Sequence, residues 1–126
     1  MPSDTLGILL ISGSHARAHY ALVLATGAAA IGRDAVLFAT NAGCHALLED
    51  WTGLDEAGND AAVRTGGVAG FAELREAAGE LGVRLIACEA GLLMAGLAGR
   101  TLAAGVVRAG VATFLEATRG GQLISL

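Results

Sequence analysis

Lysine, long apolar runs and a set of paired cysteines are all missing from this chain. Its eight basic residues are scattered arginines, and its formal net charge is −4. This charge argues against nucleic acid as a partner, because the phosphate backbone would be repelled. Two cysteines are too few for a disulfide framework, and no signal peptide is recognisable at the N-terminus. The sequence therefore predicts the reducing cytoplasm.

No segment has the length and composition of a membrane span. The best candidate, Tyr20 to Gly32, is too short to cross a bilayer and contains Gly27. Yet hydrophobic residues make up 54% of the 126 residues, which is high for a soluble monomer. We therefore expect no membrane partner, and we expect a homo-oligomer whose subunit interface buries the surplus apolar surface.

Fingerprints of nucleotide and metal chemistry are absent as well. The Ser12-Gly13-Ser14 turn lacks both glycine-rich phosphate-binding patterns, so Ser14 is expected to cap a helix. His15 and His19 lie four residues apart and would share a helix face, where zinc is a possible ligand. However, no C-x-x-C and no H-E-x-x-H motif accompanies them. The sequence therefore predicts no metal and no other cofactor.

Short apolar runs alternate with helical segments through a single domain, residues 1–126. Strands are expected at 6–11, 35–39, 83–87, 106–109 and 122–126, with the strand 83–87 in the centre of the sheet. Helices are expected at 15–31, 44–50, 71–81, directly after Cys88, and at 111–119. This alternation predicts an α/β fold with a mostly parallel sheet and helices on both faces.

Residues 51–70 differ from the rest of the chain in composition. They include five glycines and several charges, but few large apolar side chains. A stretch of this length without regular structure is uncommon inside a compact domain. We expect it to form either a functional lid or a surface excursion without a role.

The strand at 83–87 stops at Cys88, and a segment of helical composition follows at once. The ligand site of a parallel sheet lies beyond the carboxyl ends of its strands, so Cys88 is expected at that site. Spare N–H groups at the start of the helix favour a thiolate, whereas the carboxylate of Glu89 repels one. Cys88 as a small buried hydrophobe is the alternative. The functional interpretation requires that solvent reach this sulfur.

Further polar side chains are expected at the same edge of the sheet. Cys44 would resolve an oxidised Cys88 as a disulfide or accept sulfur from it, unless it only packs in the core. His15 would act as a base near a thiol, unless it is simply hydrogen-bonded or solvated. The side chains expected to hold a small ligand in the crevice are Ser14, Asn41 and Glu89.

Two segments of the chain resemble a known family. Residues 85–91 (LIACEAG) with the Met-containing helix that follows, and residues 105–115 (GVVRAGVATFL), resemble the DsrE/DsrF-like proteins. These are small cytoplasmic proteins, also described as predicted peroxiredoxins, and the Tus sulfur-relay proteins belong to their superfamily. The resemblance extends over nearly the whole chain. It implies a three-layer α/β/α fold with a five-stranded parallel sheet, and it implies trimers or hexamers.

The resemblance also implies a chemical role for one residue. In sulfur-relay members, the cysteine that matches Cys88 accepts sulfane sulfur as a persulfide and passes it on. The first hypothesis is therefore an intracellular sulfur carrier or thiol-transfer protein with sulfur-donor and sulfur-acceptor proteins as partners. The alternative is a non-catalytic oligomeric module that binds a small ligand or a partner. A thiol peroxidase is disfavoured, because no Pro/Thr/Arg surround for peroxide accompanies either cysteine.

Overall fold

The computed structural model describes residues 3–126 as one parallel sheet of five strands with helices on both faces. The strands are β1 (Leu6–Leu10), β2 (Ala35–Ala39), β3 (Arg84–Cys88), β4 (Val107–Ala109) and β5 (Gln122–Ser125). The helices are α1 (His15–Ala30), α2 (Asp60–Thr65), α3 (Phe71–Glu80), α4 (Glu89–Met94) and α5 (Val111–Ala117). Two 3-10 helices span Asn41–Leu47 and Ala57–Asn59. The predicted α/β/α fold with five strands is confirmed.

The strands lie in the order β4-β3-β2-β1-β5, so β2 occupies the centre of the sheet. The prediction that the strand ending near Cys88 is central was wrong. All five residues of β2 are buried, whereas β3 begins at the exposed Arg84 and has only the three-residue β4 beyond it. A central strand has no free edge and both faces covered, which is the environment that the sequence Ala-Val-Leu-Phe-Ala suits.

All strand pairs are parallel and share one register across the sheet. Leu37 of β2 pairs with Ile8 of β1 on one side and with Leu85 of β3 on the other. Cys88, the last residue of β3, pairs with Ala109 of β4. The carboxyl ends of the strands therefore meet at one edge, and the chain segments that follow them are neighbours in space.

One face of the sheet is thickly covered by α1 and α3. Ile8 and Leu10 of β1 are fully buried against this layer, which includes Leu22 of α1 and Phe71 of α3. Each large aliphatic or aromatic side chain buried in this way stabilises the fold by about 1.5–3 kcal/mol. This face therefore supplies most of the hydrophobic core.

The opposite face is covered by α5 and carries a much smaller core. The ring of Phe114 in α5 stacks on Phe38 of β2 with ring centroids 4.8 Å apart. Val36, Ile86 and Cys88 complete this second cluster. Cys88 therefore belongs to the thinner side of the molecule.

Helix boundaries follow the signals in the sequence in most places. The hydroxyl of Ser14 caps α1 by accepting the N–H of Arg17 at 3.1 Å. Gly32 ends the same helix with a φ of 86°, a conformation that glycine adopts without strain. The short helix expected at 44–50 lies instead at Asn41–Leu47 and is a 3-10 helix. Asn41 begins it with a φ of 52°, a left-handed conformation that asparagine tolerates.

The segment 51–70 has more structure than its composition suggested. It contains α2 and the second 3-10 helix, and it buries Leu54 and the carboxylate of Asp60. A backbone hydrogen bond also holds the segment at the start of α1, because the backbone N–H of His15 donates to the carbonyl of Asp55 at 2.9 Å. The segment is thus packed onto the domain at several points.

Candidate functional site

Cys88 lies where a strand ends and a helix begins. It is the last residue of β3 and the N-cap of α4. Its Sγ atom accepts the backbone N–H of Gly91 at 3.3 Å. This bond fixes the sulfur against the first turn of α4. The predicted strand–cysteine–helix arrangement is therefore present at the carboxyl edge of the sheet.

The surroundings of Cys88 are mostly apolar. Only 6% of the residue is exposed, and it packs in the cluster that contains Phe38, Ile86 and Phe114. Glu89, which follows it, is exposed in the first turn of α4. Cys88 is therefore buried, and the condition that solvent reach its sulfur is not met in this conformation.

Cys44 lies in the first 3-10 helix, above the end of the neighbouring strand. It is fully buried, and its thiol donates to the carbonyl of Ala39 at 3.5 Å. Burial and the negative charge of Cys88 raise the pKa of the Cys44 thiol to about 11, although the backbone N–H of Cys88 acts in the opposite direction. Cys44 is therefore a neutral thiol at neutral pH. Both cysteines are free.

The ligand-binding side chains expected at this edge are occupied by local contacts. The hydroxyl of Ser14 caps α1, and the side-chain oxygen of Asn41 accepts the hydroxyl of Thr40 at 3.1 Å. A Cβ atom added to Gly91 would overlap Thr40 and the backbone N of Asn41. The first turn of α4 thus rests directly on the chain that leads into the 3-10 helix, and this contact fixes the position of Cys88.

His15 is bonded to a carboxylate rather than to a thiol. Its Nε2 atom lies 2.8 Å from Oδ1 of Asp60, and both side chains are buried. The same oxygen accepts the backbone N–H of Phe71 at 2.8 Å. Burial opposes the ionisation of Asp60, but these bonds and the charges of His15 and His19 outweigh it and hold the pKa of Asp60 below its usual value.

His19 completes the same buried cluster. Its Nε2 atom lies 2.8 Å from the carbonyl oxygen of Ala69, so this nitrogen must carry the proton that is donated. The rings of His15 and His19 stack with centroids 5.7 Å apart. Each histidine therefore bonds to a residue of the segment 51–70 and holds that segment against α1. Both are hydrogen-bonded side chains, which was the alternative to a catalytic role.

Sequence reasoning missed Asp60, which lies 45 residues from its partner His15 in the chain. No periodicity marks it, because it belongs to a glycine-rich stretch with few apolar residues. Within residues 3–126, no group of three or more His, Cys, Asp or Glu side chains is arranged to hold a metal ion. In the same range, no helix is long and apolar enough to cross a membrane.

One charged cleft lies apart from the thiols. It has a volume of about 410 Å³ and is lined by Glu49, Asp50, Arg100 and Thr101. The pKa of Asp50 is lowered by hydrogen bonds from Thr52 and by the charges of Arg100 and His45. The cleft therefore offers mixed charges rather than a reactive sulfur.

Comparison with known proteins adds no identification. No protein-family model matches the chain, and no curated protein matches it.

Proposed function

We propose that this chain is a sulfur carrier of the DsrE/DsrF-like kind, in which Cys88 holds sulfane sulfur as a persulfide. The observation that supports the proposal is the position of the Cys88 sulfur, at the end of β3 and within a hydrogen bond of the Gly91 N–H. A thiolate is the form that attacks sulfur, and the bond holds the Cys88 sulfur at the start of α4. The resemblance of residues 85–91 and 105–115 to that family points to the same chemistry.

The proposed loading step is a transfer between persulfide and thiolate. The Cys88 thiolate attacks the outer sulfur of a donor persulfide, the donor S–S bond breaks, and the donor leaves as a thiolate. Cys88 then carries the sulfur as a persulfide, and the reverse step delivers it to an acceptor thiolate. Donor and acceptor proteins are the partners that this cycle requires.

The apolar contacts of Cys88 suit a carrier that retains its cargo. Cys88 packs in one buried cluster with Phe38, Ile86 and Phe114, and the residue is 6% exposed. Water and stray thiols therefore reach a persulfide at this position poorly. A neutral Cys44 is a weaker nucleophile than a thiolate, so loading from a donor falls to Cys88.

Mass spectrometry of the intact protein tests the loading step. After incubation with sodium tetrasulfide and removal of excess reagent, we expect the wild-type chain to gain about 32 Da, one sulfur atom, at Cys88. The Cys88→Ser variant should gain nothing, and the Cys44→Ser variant should load like the wild type. Equal loading of Cys88→Ser and the wild type would contradict the proposal, as would no loading of either.

The second candidate function is a non-catalytic module that binds a small ligand or a partner. The burial of Cys88 against Phe114 favours it, because free cysteine is common as a small buried hydrophobe. In that case Cys88→Ser and the wild type should carry the same amount of bound ligand in native mass spectrometry. Slow alkylation of Cys88 by iodoacetamide in the native protein, at the rate of a buried thiol, would further support this second function.

We also propose a cytoplasmic homo-oligomer, a trimer or a hexamer, as the working form. Large apolar side chains are exposed around the carboxyl edge and the thin face, among them Leu93 and Met94 of α4 at 71% and 78%. Val111 and Leu115 of α5 are more than half exposed. Light scattering at micromolar concentration tests this, and a monomer mass would overturn it.

A further inference from the structure

The two cysteine sulfurs lie over the ends of neighbouring strands. Cys44 donates to the carbonyl of Ala39, the last residue of β2. Ala39 pairs with Ala87 of β3, and Cys88 is the next residue. Neighbouring strands are about 4.8 Å apart, so the two residues are neighbours at the sheet edge, although their side chains pack on opposite faces of the sheet. The backbone N–H of Cys88 also acts on the Cys44 sulfur directly.

The proposed carrier function uses only one of these two thiols. Cys44 is fully buried and is held as a neutral thiol by the absence of water around it and by the nearby charge of Cys88. It therefore takes no part in loading. A thiol beside a persulfide can nevertheless attack either sulfur: attack on the outer sulfur moves that sulfur, whereas attack on the inner sulfur forms a disulfide and releases hydrosulfide.

Resting on the proposed function, we infer that Cys44 discharges the Cys88 persulfide within the same chain and releases hydrosulfide. The Cys44 sulfur attacks the Sγ atom of Cys88, and the proton of the Cys44 thiol passes to the departing outer sulfur. The bond between Sγ and the outer sulfur breaks, and the outer sulfur leaves as hydrosulfide with the electron pair of that bond. The two cysteines end as a disulfide, so the reduction of the sulfane sulfur is balanced by the oxidation of two thiols, and no outside oxidant is needed.

The geometry makes this discharge slow in the resting state. Cys88 packs on the side of Phe114, whereas Cys44 packs in the core below α1. A disulfide needs Cα atoms within about 7 Å and Cβ atoms that face each other, so the Cys88 sulfur must first leave the Gly91 N–H. Helix α4 has only six residues, and its Glu89 and Ala90 are exposed, so its first turn is the part of the site that can yield. Discharge therefore follows opening of α4.

The test starts from protein loaded with sodium tetrasulfide and freed of excess reagent. We follow hydrosulfide with monobromobimane and the intact mass without reductant. For the wild type we expect one hydrosulfide per chain, in step with a species about 2 Da lighter than the reduced chain. In Cys44→Ser, which keeps a hydroxyl able to bond Ala39, discharge should slow at least about tenfold, and the lighter species should not form. Cys44→Ala is the second variant, in case serine disturbs the core.

Each outcome decides between the two proposals. If Cys88 loads and the two Cys44 variants lose sulfur as fast as the wild type, the discharge role of Cys44 is wrong and the carrier function stands. Release of hydrosulfide without the lighter species overturns it as well. If Cys88 takes up no sulfur from tetrasulfide in any variant, the carrier function itself fails and the discharge step fails with it.

Discussion

Replacing Asp60 with asparagine removes a buried charge but keeps a side-chain oxygen that can accept the Phe71 N–H. Asp60 is 7% exposed, and its Oδ1 atom lies 2.8 Å from both His15 Nε2 and the Phe71 nitrogen. A hydrogen bond to a charged group contributes about 1.5–3 kcal/mol to stability. We therefore expect Asp60→Asn to lower the free energy of unfolding by about 1.5–3 kcal/mol at pH 7. Asp60→Ala leaves both donors without a partner and should lose about 3–5 kcal/mol.

The same variant should show a defined pH dependence. The folded state lowers the pKa of Asp60, so the stabilisation is present above the unfolded-state pKa of about 3.9. It is lost as pH falls through the lower folded-state value, where the carboxylate takes up a proton. The difference in unfolding free energy between the wild type and Asp60→Asn should therefore shrink as the pH falls below about 4.

Urea unfolding followed by tryptophan fluorescence measures both effects. Trp51 is the single tryptophan, and its ring lies 4.9 Å from Phe71 and 6.0 Å from His15. Asp55→Asn is the matched control, because this exposed side chain belongs to the same segment and should change stability by less than about 0.5 kcal/mol. If both asparagine variants unfold at the same urea concentration, the buried pair does not hold the segment 51–70 in place.

Three further predictions concern the thiols and the surface near them. Gly91→Ala should lose about 1–3 kcal/mol because the new Cβ overlaps neighbouring backbone, whereas Gly79→Ala, which meets open space in α3, should gain up to about 1 kcal/mol in urea unfolding. The ¹³Cβ shift of Cys44 should titrate at about pH 11, and in Cys88→Ser its pKa should fall but stay above the ordinary value, because burial is the larger cause. Met94→Glu, at a residue 78% exposed, should lower the mass measured by light scattering if α4 lies in a subunit interface, and an unchanged mass would exclude that surface.

Most of the sheet could be predicted because its strands are continuous apolar runs. β1 and β2 lie where the sequence placed them, since a run of five or six apolar residues between turn residues fits a strand that is buried on both faces. Helix ends could be predicted where a single residue favours the start or the end of a helix. Ser14 caps α1, and Gly32 and Gly82 adopt φ values of 86° and 85° at turns after helices.

The features that could not be predicted depend on contacts between distant parts of the chain. The order of strands places β2 in the centre, and local sequence says little about order once several strands are apolar. Asp60 is buried because His15 and the Phe71 N–H satisfy it, and neither partner is close to it in sequence. A carboxylate that is paired in this way can be buried without any apolar pattern around it in the sequence. The polar composition of 51–70 therefore gave no sign that the segment is packed.

The position of Cys88 could be predicted, but its accessibility could not. A strand that stops at a cysteine before a helical segment places the sulfur at the carboxyl edge, and the sulfur lies there. How much of it solvent reaches depends on what covers that face, and the cover is α5, a helix of seven residues anchored by Phe114. A short helix with few buried side chains opens locally at low free-energy cost, whereas the α1 face does not. Cys88 therefore lies under the thinner cover, whereas Cys44, with no exposed surface, lies in the larger core.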